Sequence, residues 1–200
     1  MSTTLQDVNS IVPMTDSAQA AGIVDQVRAD YEEGKRLIES GEYAQAAVSL
    51  HNALLGYEEK MDEAGMANAS NQLGHICLAK KDFEQARQHY QKAWDICEKK
   101  QDSMSLVSLL KKFVLVYRGM KQYRQALDIC LDLLDKYHAN NDPQGTVTVL
   151  VDMAEIYLES GEKAKAVDAY RTVASIHNNF KHHTTAESFA QKAKELEEAA

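Results

Sequence analysis

Metal binding and nucleophilic catalysis are the first chemistries to test along this 200-residue chain. His177, His182 and His183 fall in one seven-residue stretch. Imidazole is a common metal ligand, but a structural zinc site wants four donors, and no carboxylate or cysteine accompanies these three at a useful spacing. They are expected to be surface histidines, with no metal and no cofactor. His75 stands close to Cys77, yet residues two apart on a helix point to different faces. No nucleophile elbow, phosphate loop or two-histidine helix motif occurs. Cys77, Cys97 and Cys130 are odd in number and sit within helical patterns, as buried thiols of a reducing compartment do. Asn68-Ala69-Ser70 has the form of a glycosylation acceptor, which matters only in a secreted chain. No catalytic residue is expected.

The elements that position these residues form a repeat. The stretch from Gly74 to Ala93 returns with a period of 40. Gly34, Ala46 and Ala53 hold the places of Gly74, Ala86 and Ala93; Val114, Ala126 and Leu133 follow, then Ala154, Ala166 and Val173. The turn also returns, at Ser40 to Tyr43, Lys80 to Phe83, Met120 to Tyr123 and Ser160 to Lys163. A fixed period in this range marks a stacked array. Each repeat reads as helix, turn, helix. Leu73, Ile76, Cys77 and Lys80 keep a three-four spacing, and Phe83, Ala86, Tyr90, Ala93, Trp94 and Cys97 resume it after the turn. Tyr90 and Trp94 are therefore expected in the core. All four repeats keep the alanine at 46, 86, 126 and 166, which places it where two helices approach most closely.

A small residue, an alanine twelve positions on and another small residue seven further, with an aromatic after the turn, resembles the tetratricopeptide repeat family. Gly34, Tyr43, Ala46 and Ala53 carry the likeness, as do Gly74, Phe83, Ala86, Tyr90 and Ala93. Val114, Ala154 and Lys163 depart from it. The usual repeat has about 34 residues, and HEAT or armadillo arrays have about 40–47; the glycine and alanine spacing favours the former. The period of 40 is closest to the long-repeat modules of Leu-Gly-Asn-type signalling adaptors. The resemblance implies an all-α, right-handed superhelical solenoid. It has four helix pairs, at about 15–62, 63–102, 103–142 and 143–183, and a capping helix over 184–200.

In that family the first helix of each pair lines a concave groove. The resemblance then places Arg28, Tyr31, Glu32, Lys35 and Ile38 there, with Asn68, Asn71, Gln72, His75 and Leu78, then Ser108, Lys111, Lys112, Leu115 and Arg118, and last Thr148, Val151, Asp152, Glu155, Leu158 and Glu159. Asn71 and Gln72 both donate and accept, which suits an extended backbone. Lys111, Lys112 and Arg118 would attract an acidic group. The implied function is a non-catalytic adaptor that holds a peptide segment of a protein partner. Co-chaperone members clamp a terminal carboxylate with lysine, asparagine and arginine; Tyr31, Lys35, Gln72, Ser108 and Lys112 stand at those places, so that clamp is largely absent. The alternative is a structural or self-oligomerising module.

Composition narrows the partners. Thirty acidic side chains against 22 basic ones give a net charge of −8, the wrong sign for a nucleic-acid partner. No apolar run is long enough to span a membrane, and the first residues lack the basic start and apolar core of a secretory signal. A cytoplasmic location is expected. Residues 1–14 show no periodicity and are expected to be disordered, although Ile11, Val12 and Met14 could fold back into the chain's own groove or that of a neighbouring copy. Asp16 with Gln19, and Thr184 with Glu187, read as helix starts. Asp62, Asp102 and Asp142 recur just before helix pairs, as capping residues do. Glu33 and Arg36 leave the first helix a wet outer face, and Lys194 and Glu197 do so for the last, whose apolar face is Phe189, Ala190, Ala193 and Leu196.

Overall fold

The computed structural model describes the backbone of residues 16–198 and the side chains from residue 26 onward. The expectations for residues 1–14, Ile11, Val12 and Met14 among them, fall outside the described residues. Within these there are nine helices and no strand: α1 (Asp16–Glu39), α2 (Tyr43–Glu59), α3 (Glu63–Ala79), α4 (Phe83–Lys99), α5 (Ser103–Gly119), α6 (Tyr123–Ala139), α7 (Pro143–Glu159), α8 (Lys163–Asn179) and α9 (His183–Glu198).

The backbone repeats at half the period of the sequence. Each helix from α2 to α8 has 17 residues, and three residues separate every helix from the next. The second of those three is always left-handed: Gly41, Met61, Lys81, Gln101, Lys121, Asn141, Gly161 and Lys181 have φ between +51° and +82°. Its amide donates to the carbonyl three residues back, and the next amide to the carbonyl five back. Met61 to Glu58 at 3.0 Å and Asp62 to Tyr57 at 2.9 Å are one such pair. All eight turns make it. Glycine takes the left-handed conformation at no steric cost, but six of the eight positions carry a side chain. The two-bond closure of the Schellman type therefore holds the turn, whatever the residue.

The residue after the left-handed one opens the next helix. Oδ1 of Asp62, Asp82, Asp102 and Asp142 accepts from the amides of Gly65, Gln85, Ser105 and Gly145 at 3.0, 3.2, 3.1 and 2.8 Å. Three of these are the aspartates expected to cap; Asp82 joins them. Glu42, Gln122 and Glu162 hold the same place with no side-chain cap bond. At α9 the expected capping box of Thr184 and Glu187 does not form. The helix starts at His183, with the Ala186 amide on the His182 carbonyl at 3.0 Å, so Thr184 already lies inside the first turn.

The chain divides between Ile76 and Cys77, in the last turn of α3, into two compact units. In the first, Leu37, Leu50, Leu54, Leu73 and Ile76 pack with Ala46 and Ala69. Gly34 is required there by close approach, because a Cβ would stand 2.5 Å from Leu50 Cγ. In the second unit, Leu110, Val114, Cys130, Leu133, Val149, Met153 and Ile156 form one core. Ala154, Ala166, Tyr170 and Ala193 form another toward α9. Phe113 meets the edges of Tyr90 and Trp94, with centroids at 6.2 and 6.0 Å, so both aromatics are packing groups. Ala46, Ala86, Ala126 and Ala166 are wholly buried. Burying one leucine such as Leu50 contributes about 1.5–3 kcal/mol, well above the tenths that helix propensity gives per residue.

The outer faces are wet, as charge patterning requires. Glu33 and Arg36 are exposed and pair at 2.7 and 2.8 Å. Glu197 pairs with Arg171 at 2.7 Å. In α9 the buried stripe runs through Ala186, Phe189, Ala193 and Leu196, and Ala190, expected on that face, is exposed one step to its side.

Candidate binding surface

In the first compact unit, α3 carries Asn68, Asn71, Gln72 and His75 at three-four spacing along one face; Asn68 is exposed and the others are half-buried. On α1, Tyr31 meets Tyr57 edge-on at 6.2 Å. Lys35 Nζ lies 5.5 Å from the Tyr31 ring and 3.1 Å from Glu32. Tyr31, Glu32 and Lys35 thus satisfy one another, and α3 offers the larger stretch of uncharged donors and acceptors.

In the second compact unit, α5 carries Lys111, Lys112, Leu115 and Arg118, and α7 carries Asp152, Glu155, Leu158 and Glu159. Leu78, in the last turn of α3, is half-buried. Arg118 does not stand beside the two lysines as a third cation for a partner. Its Nη1 donates to Glu155 at 2.7 Å, and its Nη2 and Nε donate to Glu159 at 2.7 and 3.0 Å. The hydrogen bonds to Glu159, then to Glu155, hold the guanidinium charged beyond its ordinary range. Planar guanidinium suits this two-carboxylate clasp better than an ammonium would. Burial pushes the neighbouring Asp152 carboxyl up, Glu155 adds to the shift, and Arg118 and Lys111 oppose it.

Lys111 is different. It is exposed, and its Nζ lies 5.3 Å above the Tyr137 ring, a cation–π contact. Among the described residues neither Lys111 nor Lys112 has an ion-pair partner. Beside Lys111 opens a cleft of about 650 Å³, whose lining includes Met104, Val107, Lys136 and Tyr137. Met104 is 86% exposed. The sequence gives none of these four residues a place in a binding surface, because they come from two helices that meet only in the fold.

The thiols offer no reactive site. Cys97 and Cys130 are buried and Cys77 half-buried, all three unbridged; burial pushes Cys130 up to about 12. Among the described residues no three or more histidine, cysteine or acidic side chains are grouped to hold a metal, and no helix is long and apolar enough to cross a membrane.

Comparison with known proteins agrees with this architecture. Residues 67–100 match the family model described as tetratricopeptide repeat. RapI in its apo form superposes with a TM-score of 0.75 at 15% identity, over 92% of this chain and 53% of RapI. The chain thus spans about half the length of RapI. A putative kinesin light chain with nearly identical TPR-like repeats, from Podosopora anserina, gives 0.67 at 15% identity over 86% of this chain and 92% of its own. BtubC (BKLC) from P. vanneervenii gives 0.58 at 12% identity, over 92% and 91%. No curated protein matches the sequence significantly. At such identities the likeness shows the fold alone. The chain is an all-α tandem array of tetratricopeptide-like helix pairs, in which residues 67–100 carry a recognisable tetratricopeptide repeat.

Proposed function

We propose that this protein is a non-catalytic adaptor that holds a segment of a protein partner, and that the second compact unit carries a charged surface for it. One observation carries the reading: Arg118 is closed by Glu155 and Glu159, whereas Lys111, which lies over the Tyr137 ring, and Lys112 have no ion-pair partner among the described residues. An acidic side chain or terminal carboxylate of the partner meets those two lysines. The cleft with Met104 and Val107 takes an apolar side chain next to it, and Leu115 and Leu158, 42% and 37% exposed, extend the apolar contact. In the first compact unit, Asn68, Asn71, Gln72 and His75 offer hydrogen bonds to an extended backbone. The helix pairs that present these residues are bounded near residues 62, 102, 142 and 183. The partner is a protein, and the cytoplasm is the compartment that fits the unbridged cysteines.

The test is capture from native lysate by the wild-type chain and by Lys111→Glu/Lys112→Glu, side by side at low and high salt. The wild type is expected to retain a partner that the double variant loses, with the larger difference at low salt because screening weakens exposed charges. Circular dichroism should show unchanged helix content. Equal capture by both would move the site away from α5. Capture of nothing but the chain itself would favour the alternative, a structural or self-oligomerising module.

A further inference from the structure

The turn between α8 and α9 brings two imidazoles together, with ring centroids 5.7 Å apart and planes tilted by 47°. His177 lies in the last turn of α8, and the His182 amide donates to the His177 carbonyl at 2.9 Å. Their Nδ1 atoms are 3.5 Å apart. Aromatic neighbours hold both rings. His177 lies parallel to Phe189, at 4° and 5.8 Å between centroids, and His182 stacks on Phe180 at 6.4 Å. The same two backbone positions recur at every turn, filled by Leu37 and Glu42, Tyr57 and Asp62, Cys97 and Asp102, or Tyr137 and Asp142. Only at the last turn are both imidazole.

We propose that His177 and His182 form a two-nitrogen site for a borderline transition-metal dication such as Zn²⁺, with water in the remaining positions. Zn–N bonds of about 2.0–2.1 Å at tetrahedral angles put two donor nitrogens about 3.3–3.4 Å apart. The observed 3.5 Å fits that span, whereas an N–H donor sits most often about 2.9–3.0 Å from its acceptor. The pair is spaced for an ion between the rings better than for a proton. Each ring ligates through the Nδ1 lone pair when its proton is on Nε2, so binding selects that tautomer in both. His183 is not aimed at the same point; its Nδ1 lies 2.9 Å from Asn178 Oδ1. Two protein ligands make a modest site, and bound metal would tie the end of α8 to the start of α9. This site stands apart from the α5 surface and does not depend on the adaptor reading.

The test titrates ZnCl₂ into the full chain and follows the ring ¹H–¹⁵N correlations of its seven histidines. The rings of His177 and His182 are expected to shift together and saturably, with Nδ1 the most perturbed nitrogen. MgCl₂ should leave them unmoved, since Mg²⁺ seeks oxygen ligands. His182→Asn should weaken Zn²⁺ binding by more than about tenfold, since even loss of an outer partner of a ligand costs about 10–100-fold. His177→Gln gives an independent loss, and His183→Asn should leave the affinity unchanged. Silent rings, shifts spread over all seven histidines, or unchanged affinity in His182→Asn would each overturn the proposal.

Discussion

The α6–α7 and α8–α9 turns share one backbone and do different things with it. Asn141 and Lys181 are left-handed at φ +51° and +60°. Each turn closes with the same two bonds, from Asn141 to His138 and Asp142 to Tyr137 at 3.0 and 2.8 Å, and from Lys181 to Asn178 and His182 to His177 at 2.9 Å each. At α6–α7 the side chains serve structure. Asp142 caps α7 through the Gly145 amide, and the Tyr137 ring lies against Gly145. At α8–α9 the equivalent pair is two imidazoles, and no aspartate caps the helix. The backbone closure is thus separable from what the positions on either side of it do, which leaves one turn in an array free to acquire chemistry.

The largest expected effect breaks the structural version. A Cβ at Gly145 would stand 2.3 Å from Tyr137 Cδ1, so the buried Tyr137 ring would have to shift. Gly145→Ala gains about 0.5–1 kcal/mol from helix preference and loses about 1–3 kcal/mol to overpacking, so net destabilisation is expected in urea unfolding. The equivalent places after α4 hold Cys97 and Ser105, small against small. Tyr137→Cys with Gly145→Ser should therefore lose less stability than the two single changes summed, as residues in contact do. Additive losses would mean that ring and glycine are independent.

The two turns also show what a sequence discloses. Asp142 was legible as a cap because capping is local and the residue recurs with the period; so were Ala46, Ala86, Ala126 and Ala166. The turn itself was not. Glycine announces a left-handed residue only at 41 and 161, and Met61, Lys81, Gln101, Lys121, Asn141 and Lys181 carry no such sign. The sequence groups His177 with His182 but gives no sign that their rings meet, for a related reason. Residues five apart on a continuous helix point about 140° apart, and they meet only because the chain reverses at Lys181. The clasp on Arg118 joins residues 37 and 41 positions apart. Helical spacing puts Arg118 on one face of α5 and Glu155 and Glu159 on one face of α7, but says nothing of what each finds opposite.

A smaller effect converts one turn into the other. His182→Asp supplies the carboxylate that α7 has and α9 lacks, next to a helix N-terminus that favours negative charge. Capping of this kind is worth about 1 kcal/mol, so thermal unfolding should move up. The same variant exchanges an imidazole ligand for a carboxylate that the helix amides engage, so Zn²⁺ binding should weaken while stability rises. A functional site that costs local stability predicts this opposition. If stability fell instead, the stacking of His182 on Phe180 would outweigh the missing cap, and the ring would have to be counted as structural.

The smallest effect isolates the backbone. A left-handed residue with a side chain costs about 1–2 kcal/mol, and glycine there gives back about 0.5–1 kcal/mol in chain entropy. Lys181→Gly should therefore stabilise the chain by roughly 0.5–1 kcal/mol, and Gly161→Lys, at the equivalent place before α8, should lose a similar amount. Because the turn is held by amides from residues 181 and 182 to carbonyls 178 and 177, Lys181→Gly should keep the two imidazoles at their present spacing. It should also bind Zn²⁺ as the wild type does. Gained stability with Zn²⁺ binding retained would show that turn geometry alone positions the pair. Gained stability with binding lost would mean that the Lys181 side chain restrains the rings, and the α8–α9 turn would then differ from α6–α7 in more than the two residues that face each other across it.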